Sequence, residues 1–308
     1  MSTFFSKRRI LVTGANGFVG KSLCIELERN QAIVYRLGHD KVDDIVDTKF
    51  INKLFLKERF DYCFHLAAQS LLEVATEDPT HSFDVNIRGT WNILEATRKY
   101  KLKGIIVAST THVYGKNQLP FIEKYNPMPT GPYETSKVCA DILAQLYANY
   151  YNLPVAIARF VNIYGPGDYH NRLIPKTIRL LLAQKQPQLY SKNVTRDYLF
   201  IQDAVNAYMS LMEKLNQLKK KDTNIIFNFG TGNHYSSKDI IEHIIRLMNL
   251  SEIKPQVLET SRRLEVNEQY VSIEKARTIL HWQPKYSLIE GLIETIAWYH
   301  KNFNKKRI

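Results

Sequence analysis

The sequence predicts an α/β fold, a doubly wound parallel sheet with helices on both faces, joined to a smaller mixed α/β domain. Three observations predict it. Short apolar strands alternate with helical stretches through the first half of the chain. A glycine-spaced turn follows directly on the first strand, in ILVTGANGFVG. The regular alternation ends at Gly165-Pro-Gly-Asp-Tyr, and a mixed pattern follows.

Taken in order, Ile10–Val12 reads as a short strand, Gly14 to Gly20 as the turn and Lys21–Arg29 as a helix. Ala32–Tyr35 is a second strand, Lys49–Lys57 a helix and Tyr62–Phe64 a third strand. Phe83 to Tyr100 reads as one long amphipathic helix before the strand Gly104–Ala108. Tyr133–Tyr151 is another long helix, and Pro154–Arg159 a further strand. Strands alternating with helices argue for parallel pairing. Beyond them, Arg172–Gln184 reads as a helix that stops before Pro187. Asp203 reads as the N-cap of a helix to about Leu218. Asn224–Phe229 is a strand, Ser237 caps a helix to about Met248, and Ser287-Leu-Ile-Glu290 is a capping box opening the last helix. The expected division is a dinucleotide-binding domain over 1–165 and a substrate domain over 166–308, with later strands free to return to the first sheet.

Composition narrows the function classes. The chain has 308 residues, 44% hydrophobic and 23% charged, which suits a soluble globular enzyme with a sizeable core. No apolar run approaches the roughly 18–20 residues of a membrane span. The opening MSTFFSKRRILVTG shows no apolar signal region, and Cys24, Cys63 and Cys139 lie far apart with no CxxC. These features read as a cytoplasmic chain with reduced thiols, no disulfide and no metal site. The net charge of +12 is scattered over small clusters, Lys7–Arg9, Lys219–Lys221 and Lys305–Arg307, rather than gathered in one stripe. That argues against nucleic acid as a partner and leaves attraction of an anionic small molecule, such as a nucleotide diphosphate.

The turn is the first functional signal. Gly14, Gly17 and Gly20 follow a strand and open a helix, so backbone amides approach a pyrophosphate at the helix's positive end. Asn16 and Phe18 lie within the same turn and join it as cofactor contacts. This is the Rossmann arrangement, and it implies NAD or NADP. The second strand ends Tyr35-Arg36-Leu37-Gly38-His39-Asp40. Arg36 and His39 suit a 2′-phosphate, Asp40 a free ribose, and Arg36 suits solvent equally well. Asp47 is a candidate adenine contact.

The second signal is Tyr133 and Lys137, four residues apart at a helix start and so on one face. An ammonium near a phenol is expected to lower its pKa from the usual value near 10. Such a tyrosine removes a hydroxyl proton as hydride leaves, and returns it in reverse. Thr110, at the end of the strand over 104–108, lies where ligands bind in such sheets and can bond the same hydroxyl.

TGANGFVG, HLAAQS at 65–70, NIRGTWNILEA at 86–96, STTHVYG, YETSK and RFVNIYGPGD at 159–168 together resemble the extended short-chain dehydrogenases/reductases. The resemblance is to their NAD-dependent epimerase/dehydratase group, which acts on nucleotide sugars. It covers nearly the whole chain. NRLIPKTIR at 171–179, RDYLFIQDAVNAY at 196–208 and NEQYVSIEKARTILHWQP at 267–284 are most similar to CDP-glucose 4,6-dehydratases and their relatives.

The resemblance implies roles. Thr110, Tyr133 and Lys137 would form the catalytic triad, with Tyr133 and Lys137 also meeting the cofactor. Ala67 and Ala68 would let the backbone pass close to the cofactor. Asn162 would contact the sugar diphosphate, and Asn171, Arg172 and Arg196 would lie on or near the nucleotide diphosphate. Arg196 also suits a bidentate phosphate grip, or an ion pair with Asp197. Asn86 would bridge backbone near the site. The long helices would build a homodimer, and Tyr147, Tyr150 and Tyr151 suit either that surface or the core. Sugar specificity would lie in the loop from Gly115 to Pro132 and in the second domain.

One position departs from the pattern. Dehydratases of this group carry an acidic residue in the two positions after the catalytic threonine, whereas this chain has Thr111-His112. Both are expected at the substrate, and His112 can serve as acid or base. Three readings follow. The first is an enzyme that makes a 4-keto nucleotide sugar and releases or re-reduces it, as a C4 epimerase, dehydrogenase or reductase. The second is a 4,6-dehydratase using His112. The third is a non-catalytic, cofactor-binding regulatory protein.

Overall fold

The computed structural model describes residues 3–38, 44–190, 194–218, 225–258 and 267–303. In the first half, β1 (Arg9–Thr13), α1 (Phe18–Arg29), β2 (Ile33–Leu37), α2 (Thr48–Glu58) and β3 (Tyr62–His65) alternate as the sequence pattern requires. Two short helices follow, α3 (Leu72–Glu77) and α4 (Pro79–Phe83), then α5 (Thr90–Lys99), β4 (Gly104–Thr110), α6 (Pro132–Asn149) and β5 (Val155–Phe160). Beyond them come β6 (Asn162–Tyr164), α7 (Leu173–Leu182), β7 (Gln188–Leu189), β8 (Thr195–Arg196), β9 (Tyr198–Phe200) and α8 (Ile201–Lys214). The chain continues through β10 (Ile226–Phe229), β11 (Tyr235–Ser236), α9 (Ser237–Leu247), β12 (Gln256–Val257), β13 (Glu268–Gln269), α10 (Glu274–Leu280) and α11 (Leu288–Asn302).

Six strands form one parallel sheet in the order β10-β5-β4-β3-β1-β2. β10 brings the second half of the chain back to its edge. Strand side chains alternate between two apolar cores, which is why the strands read as nearly unbroken apolar runs. Ile10, Val12, Phe64, Ile106 and Ala156 face one core, with Leu23 and Leu27 of α1 and Ala204 and Val205 of α8. Leu11, Cys63, Ile105, Val107 and Ile157 face the other, with Ile51 and Phe55 of α2, Ile93 of α5 and Ala144 of α6. The first core continues into the second half, where α7, α9 and α11 pack on one another through residues such as Ile178, Ile244 and Leu292. Small pairings, β6 with β9, β12 with β7, and β11-β8-β13, surround that part.

Three local expectations change. The stretch from Phe83 to Tyr100 is not one helix: a π-helical turn, Asp84–Gly89, separates α4 from α5. That turn directs Asn86 inward, where it accepts from Gln69 N at 2.8 Å and donates to Gln69 O and Ser136 Oγ at 2.9 Å. Asp203 is not an N-cap, because α8 begins two residues earlier. Its carboxylate instead accepts from Lys285 N and Tyr286 N, both at 3.0 Å, and ties the last segment to α8. The cap of α9 is Ser236 rather than Ser237, because Asp239 closes a reciprocal capping box with it. The box at Ser287 and Glu290 forms as read.

Candidate active site

β1 and β3 are neighbours, yet the chain leaves them toward opposite sides of the sheet, so a crevice opens beyond their carboxyl ends. The glycine turn lies there. Gly14 has φ +68°, and a Cβ on it would sit 2.8 Å from Ala67 N. A Cβ on Gly20 would overlap the Gly14 carbonyl. Gly17 differs: a Cβ there would meet only the Gly14 carbonyl, at 3.1 Å, so its other side is open. Gly17 is also the N-cap of α1, with no side-chain cap, so the first amides of α1 stay available for an anion. Asn16, Phe18, Ala67 and Ala68 line the same cleft.

Behind this turn lies a buried strut. Thr13 Oγ1 accepts from Ala67 N at 3.1 Å and bonds His65 Nδ1 at 2.8 Å, while His65 Nε2 bonds Thr90 Oγ1 at 2.9 Å. Burial, with Lys137 nearby, pushes the His65 pKa down to about 3, so the ring stays neutral.

Two predicted cofactor residues are turned elsewhere. Arg36 does not line the cleft; its guanidinium forks onto Glu28 of α1, at 2.8 and 2.9 Å. Asp47 caps α2, accepting from Lys49 N and Phe50 N, and does not line the cleft. Asp44, Ile45 and Val46 line it instead. The sequence signal was the same DDIVD run, read three residues too far along. His39 and Asp40 lie outside the described residues.

The three residues of the predicted catalytic set meet where β4 ends and α6 begins. Thr110 is the last residue of β4, and Tyr133 and Lys137 lie in the first two turns of α6. All three line the cleft. Lys137 Nζ donates to the Ala108 carbonyl at 2.6 Å, which ties α6 to β4. Burial pushes the Lys137 pKa down to about 8, with Asp141 opposing.

Tyr133 corrects an expectation. Burial pushes its phenol up to about 12, against Arg172 and the Thr110 hydroxyl, which favour the phenolate. Arg172 is a cation that opposes this shift, while the Lys137 ammonium donates to a backbone carbonyl. Ser109, beside Thr110, lines the cleft with its hydroxyl buried and unpartnered, a polar atom suited to a ligand.

After β4 the chain makes one 3-10 turn, Thr111–Tyr114. The backbone N of His112 donates to Thr110 Oγ1 at 3.3 Å. His112 faces the cleft, its ring edge-on to Tyr133 at 6.4 Å between centroids. Thr111 turns inward, 2% exposed, and does not line the cleft. His112 Nδ1 is 3.8 Å from the carboxylate of Glu134, a residue the motif contained but sequence reasoning did not single out.

Asn162, Asn171, Arg172 and Arg196 line the far end of the same cleft, whose volume is about 1330 Å³. Arg172 pairs with Asp168 at 3.4 Å. Burial pushes the Asp168 pKa up to about 6, opposed by Arg172. Arg196 Nη1 donates to the Thr195 carbonyl at 2.8 Å. It does not pair with Asp197, whose carboxylate is taken by Thr231 and Gly232. One cavity thus joins a glycine-turn anion site, an acid/base cluster and a second site with two arginines. A dinucleotide fits the first end, since only glycines 14 and 20 permit the turn and Gly17 lets a ligand approach. Among the described residues no group of His, Cys, Asp or Glu is gathered to hold a metal, and no helix is long and apolar enough to cross a membrane.

Comparison with known proteins agrees with this arrangement. The chain is 29% identical to human dTDP-D-glucose 4,6-dehydratase, over 96% of this chain and 91% of that one. It superposes on UDP-glucose 4-epimerase of Thermotoga maritima, solved with UDP-glucose, with a TM-score of 0.88 and 27% identity, covering 96% of this chain and all of the other. The dTDP-glucose 4,6-dehydratase of Bacillus anthracis, solved with NAD, gives a TM-score of 0.83 and 25% identity over 97% of this chain and 98% of that one. The family model of the NAD dependent epimerase/dehydratase family matches residues 10–230. A glycine turn at a switch point, a Thr–Tyr–Lys cluster and that match converge, and the chain belongs to the NAD dependent epimerase/dehydratase family of enzymes.

Proposed function

We propose that this enzyme oxidises the C4 hydroxyl of a nucleotide-diphosphate sugar to a 4-keto species. One observation carries the reading: Thr110, Tyr133 and Lys137 line a single cleft together with the glycine turn and with Arg172 and Arg196. Tyr133 takes the C4 hydroxyl proton, Thr110 orients that hydroxyl, and Lys137 holds α6 in register with β4. Burial raises the Tyr133 phenol, and the positive charge of Arg172 and the Thr110 hydroxyl favour its ionised form. Bound NAD supplies the hydride acceptor. NAD rather than NADP is favoured, because Arg36, the candidate for a 2′-phosphate, is engaged by Glu28. The far arginines suit a diphosphate.

Two fates of the ketone remain, and a separate observation favours each. The cleft has no carboxylate at positions 111 and 112, which favours release or re-reduction by a C4 epimerase, dehydrogenase or reductase. His112 lies in the cleft beside Tyr133, which favours loss of water by a 4,6-dehydratase. Mass spectrometry of products from UDP-, dTDP-, CDP- and GDP-glucose with NAD separates them. A product lighter by one water supports the dehydratase, an oxidised or isomeric product the first fate. No product from any of the four would sink the C4-oxidation reading.

The enzyme also reads as a homodimer in the cytoplasm. α5 and α6 pack together and carry the exposed Trp91, Ile142 and Leu146, with Tyr150 exposed at the end of α6, apolar side chains that suit a second copy. The three free cysteines, Cys24 and Cys63 buried, suit a reducing compartment. Sedimentation at a single monomer mass would overturn the dimer.

A further inference from the structure

We propose that Glu134 is a positioning residue: it holds the His112 ring with Nδ1 toward its own carboxylate and Nε2 toward the cleft, making His112 the base for the carbon next to the C4 ketone. The proposal rests on the dehydratase reading above and deepens it.

The geometry begins at the start of α6. Glu134 is the third residue of that helix, after Pro132 and Tyr133, and Gly131 provides no side-chain cap. The carboxylate folds back toward Gly131, where an added Cβ would lie 2.7 Å from Glu134 Oε2. A carboxylate in the first turn is favoured by the unpaired amides there. From that place it reaches His112 Nδ1 at 3.8 Å. The Glu134 side chain is 11% exposed and that of His112 21%. Only His112 of the two lines the cleft, so Glu134 acts through it.

Two further contacts lie at the same place. The His112 backbone N donates to Thr110 Oγ1, and the His112 and Tyr133 rings stand at 73° with centroids 6.4 Å apart. The 3-10 turn that carries His112 packs against α6, which carries Tyr133, Glu134 and Lys137 together. Burial alone would raise the Glu134 carboxyl, but the His112 side chain and Glu134's own backbone N–H reverse this, so it stays ionised. In a neutral imidazole, the nitrogen facing a carboxylate keeps the proton, and the other nitrogen is left as the acceptor. That leaves Nε2 as the base toward the cleft.

The step balances without a redox partner. The C5–H bond of the 4-keto sugar breaks, and its proton passes to His112 Nε2. The C–H electron pair becomes the C4–C5 double bond, and the carbonyl π pair moves onto the C4 oxygen. Reversal returns a proton, or in D2O a deuteron, to C5.

The test is wash-in of deuterium at C5 of UDP-4-keto-6-deoxyglucose in D2O, followed by NMR, with binding of the probe and thermal melting measured alongside. Wild-type protein should exchange C5 well above the buffer rate. His112→Gln should fall to near that rate. Glu134→Gln should exchange about tenfold more slowly at saturating probe, with its affinity for the probe and its melting unchanged, and Glu134→Asp should recover part of the loss. The double variant should be no slower than His112→Gln alone. Exchange in Glu134→Gln at the wild-type rate would overturn the positioning role, as would a double variant slower than His112→Gln. Wild-type exchange at the buffer rate would overturn the dehydratase reading itself, and with it this proposal.

Discussion

At the glycine-turn end of the cleft, close approaches of backbone shape the site; at the other end, side chains from distant segments line it. Gly14, Gly17 and Gly20 come from one short segment, and their roles follow from a positive φ and two close approaches. Thr110, His112, Tyr133, Arg172 and Arg196 come from five separate places in the chain, and their proposed roles depend on which neighbour each meets. A backbone-built site is written locally and tolerates no Cβ. A side-chain-built site is assembled by the fold, and changing one group redirects the chemistry without disturbing the frame.

Four substitutions sharpen that contrast. The largest effect belongs to Tyr133→Phe, which removes the proton acceptor: the rate of C4 oxidation should fall about 10²–10⁴-fold while UDP affinity, measured by calorimetry, stays within about twofold. Gly14→Ala strains a positive-φ position against Ala67 N, at a cost of about 1–3 kcal/mol, and should lower both the melting temperature and NAD affinity. Gly17→Ala should lower NAD affinity about tenfold, or ~1.4 kcal/mol, and leave melting unchanged. Equal loss of melting temperature in both glycine variants would contradict the distinction between a turn glycine and a ligand-facing one.

At the other end, Arg196→Ala should raise KM for the sugar nucleotide about tenfold with kcat nearly unchanged, as the proposed binding role requires. A fall in kcat alone would place it elsewhere.

The smallest effect is a slope. His65 stays neutral in the fold down to about pH 3, whereas an unfolded histidine takes a proton near 6.5. Below pH 6.5 the unfolded chain therefore binds one more proton, and stability falls with falling pH by about 1.4 kcal/mol per unit. Asp168 and Asp197, both pushed up to about 6 from 3.8, bind protons in the fold first and oppose that slope between those values. Urea titrations of His65→Gln and wild type from pH 6.5 to 5 should show the shallower acid loss in the variant. Parallel pH profiles would contradict the neutral strut.

The same contrast explains what was legible in the sequence. The alternation of strands and helices and the glycine turn are local patterns, and both form where they were read. So did the capping box at Ser287 and Glu290, whose bonds span three residues. Asp203 and Asp47 were misread because short polar side chains suit several bonds, and tertiary neighbours chose among them. Arg36 suited a 2′-phosphate or solvent from sequence alone, and in the fold it pairs with Glu28 on the preceding helix. The π-helical turn serves a contact between Asn86 and Ser136, fifty residues apart, which no helical periodicity encodes. The Tyr133–Lys137 spacing put both at one cleft, but burial, which spacing does not encode, raises the phenol instead of lowering it. Glu134 was in plain view inside YETSK; its link to His112 arises only when β4 and α6 are brought together.

The most direct measurement is a single-turnover experiment. Stoichiometric NAD-loaded enzyme is mixed with UDP- or dTDP-glucose, and the near-ultraviolet absorbance of reduced nicotinamide is followed by stopped flow. A transient rise that is abolished in Tyr133→Phe is the expected result. No rise with either sugar nucleotide, or an undiminished rise in Tyr133→Phe, would contradict oxidation at C4 by the Thr110–Tyr133–Lys137 cluster.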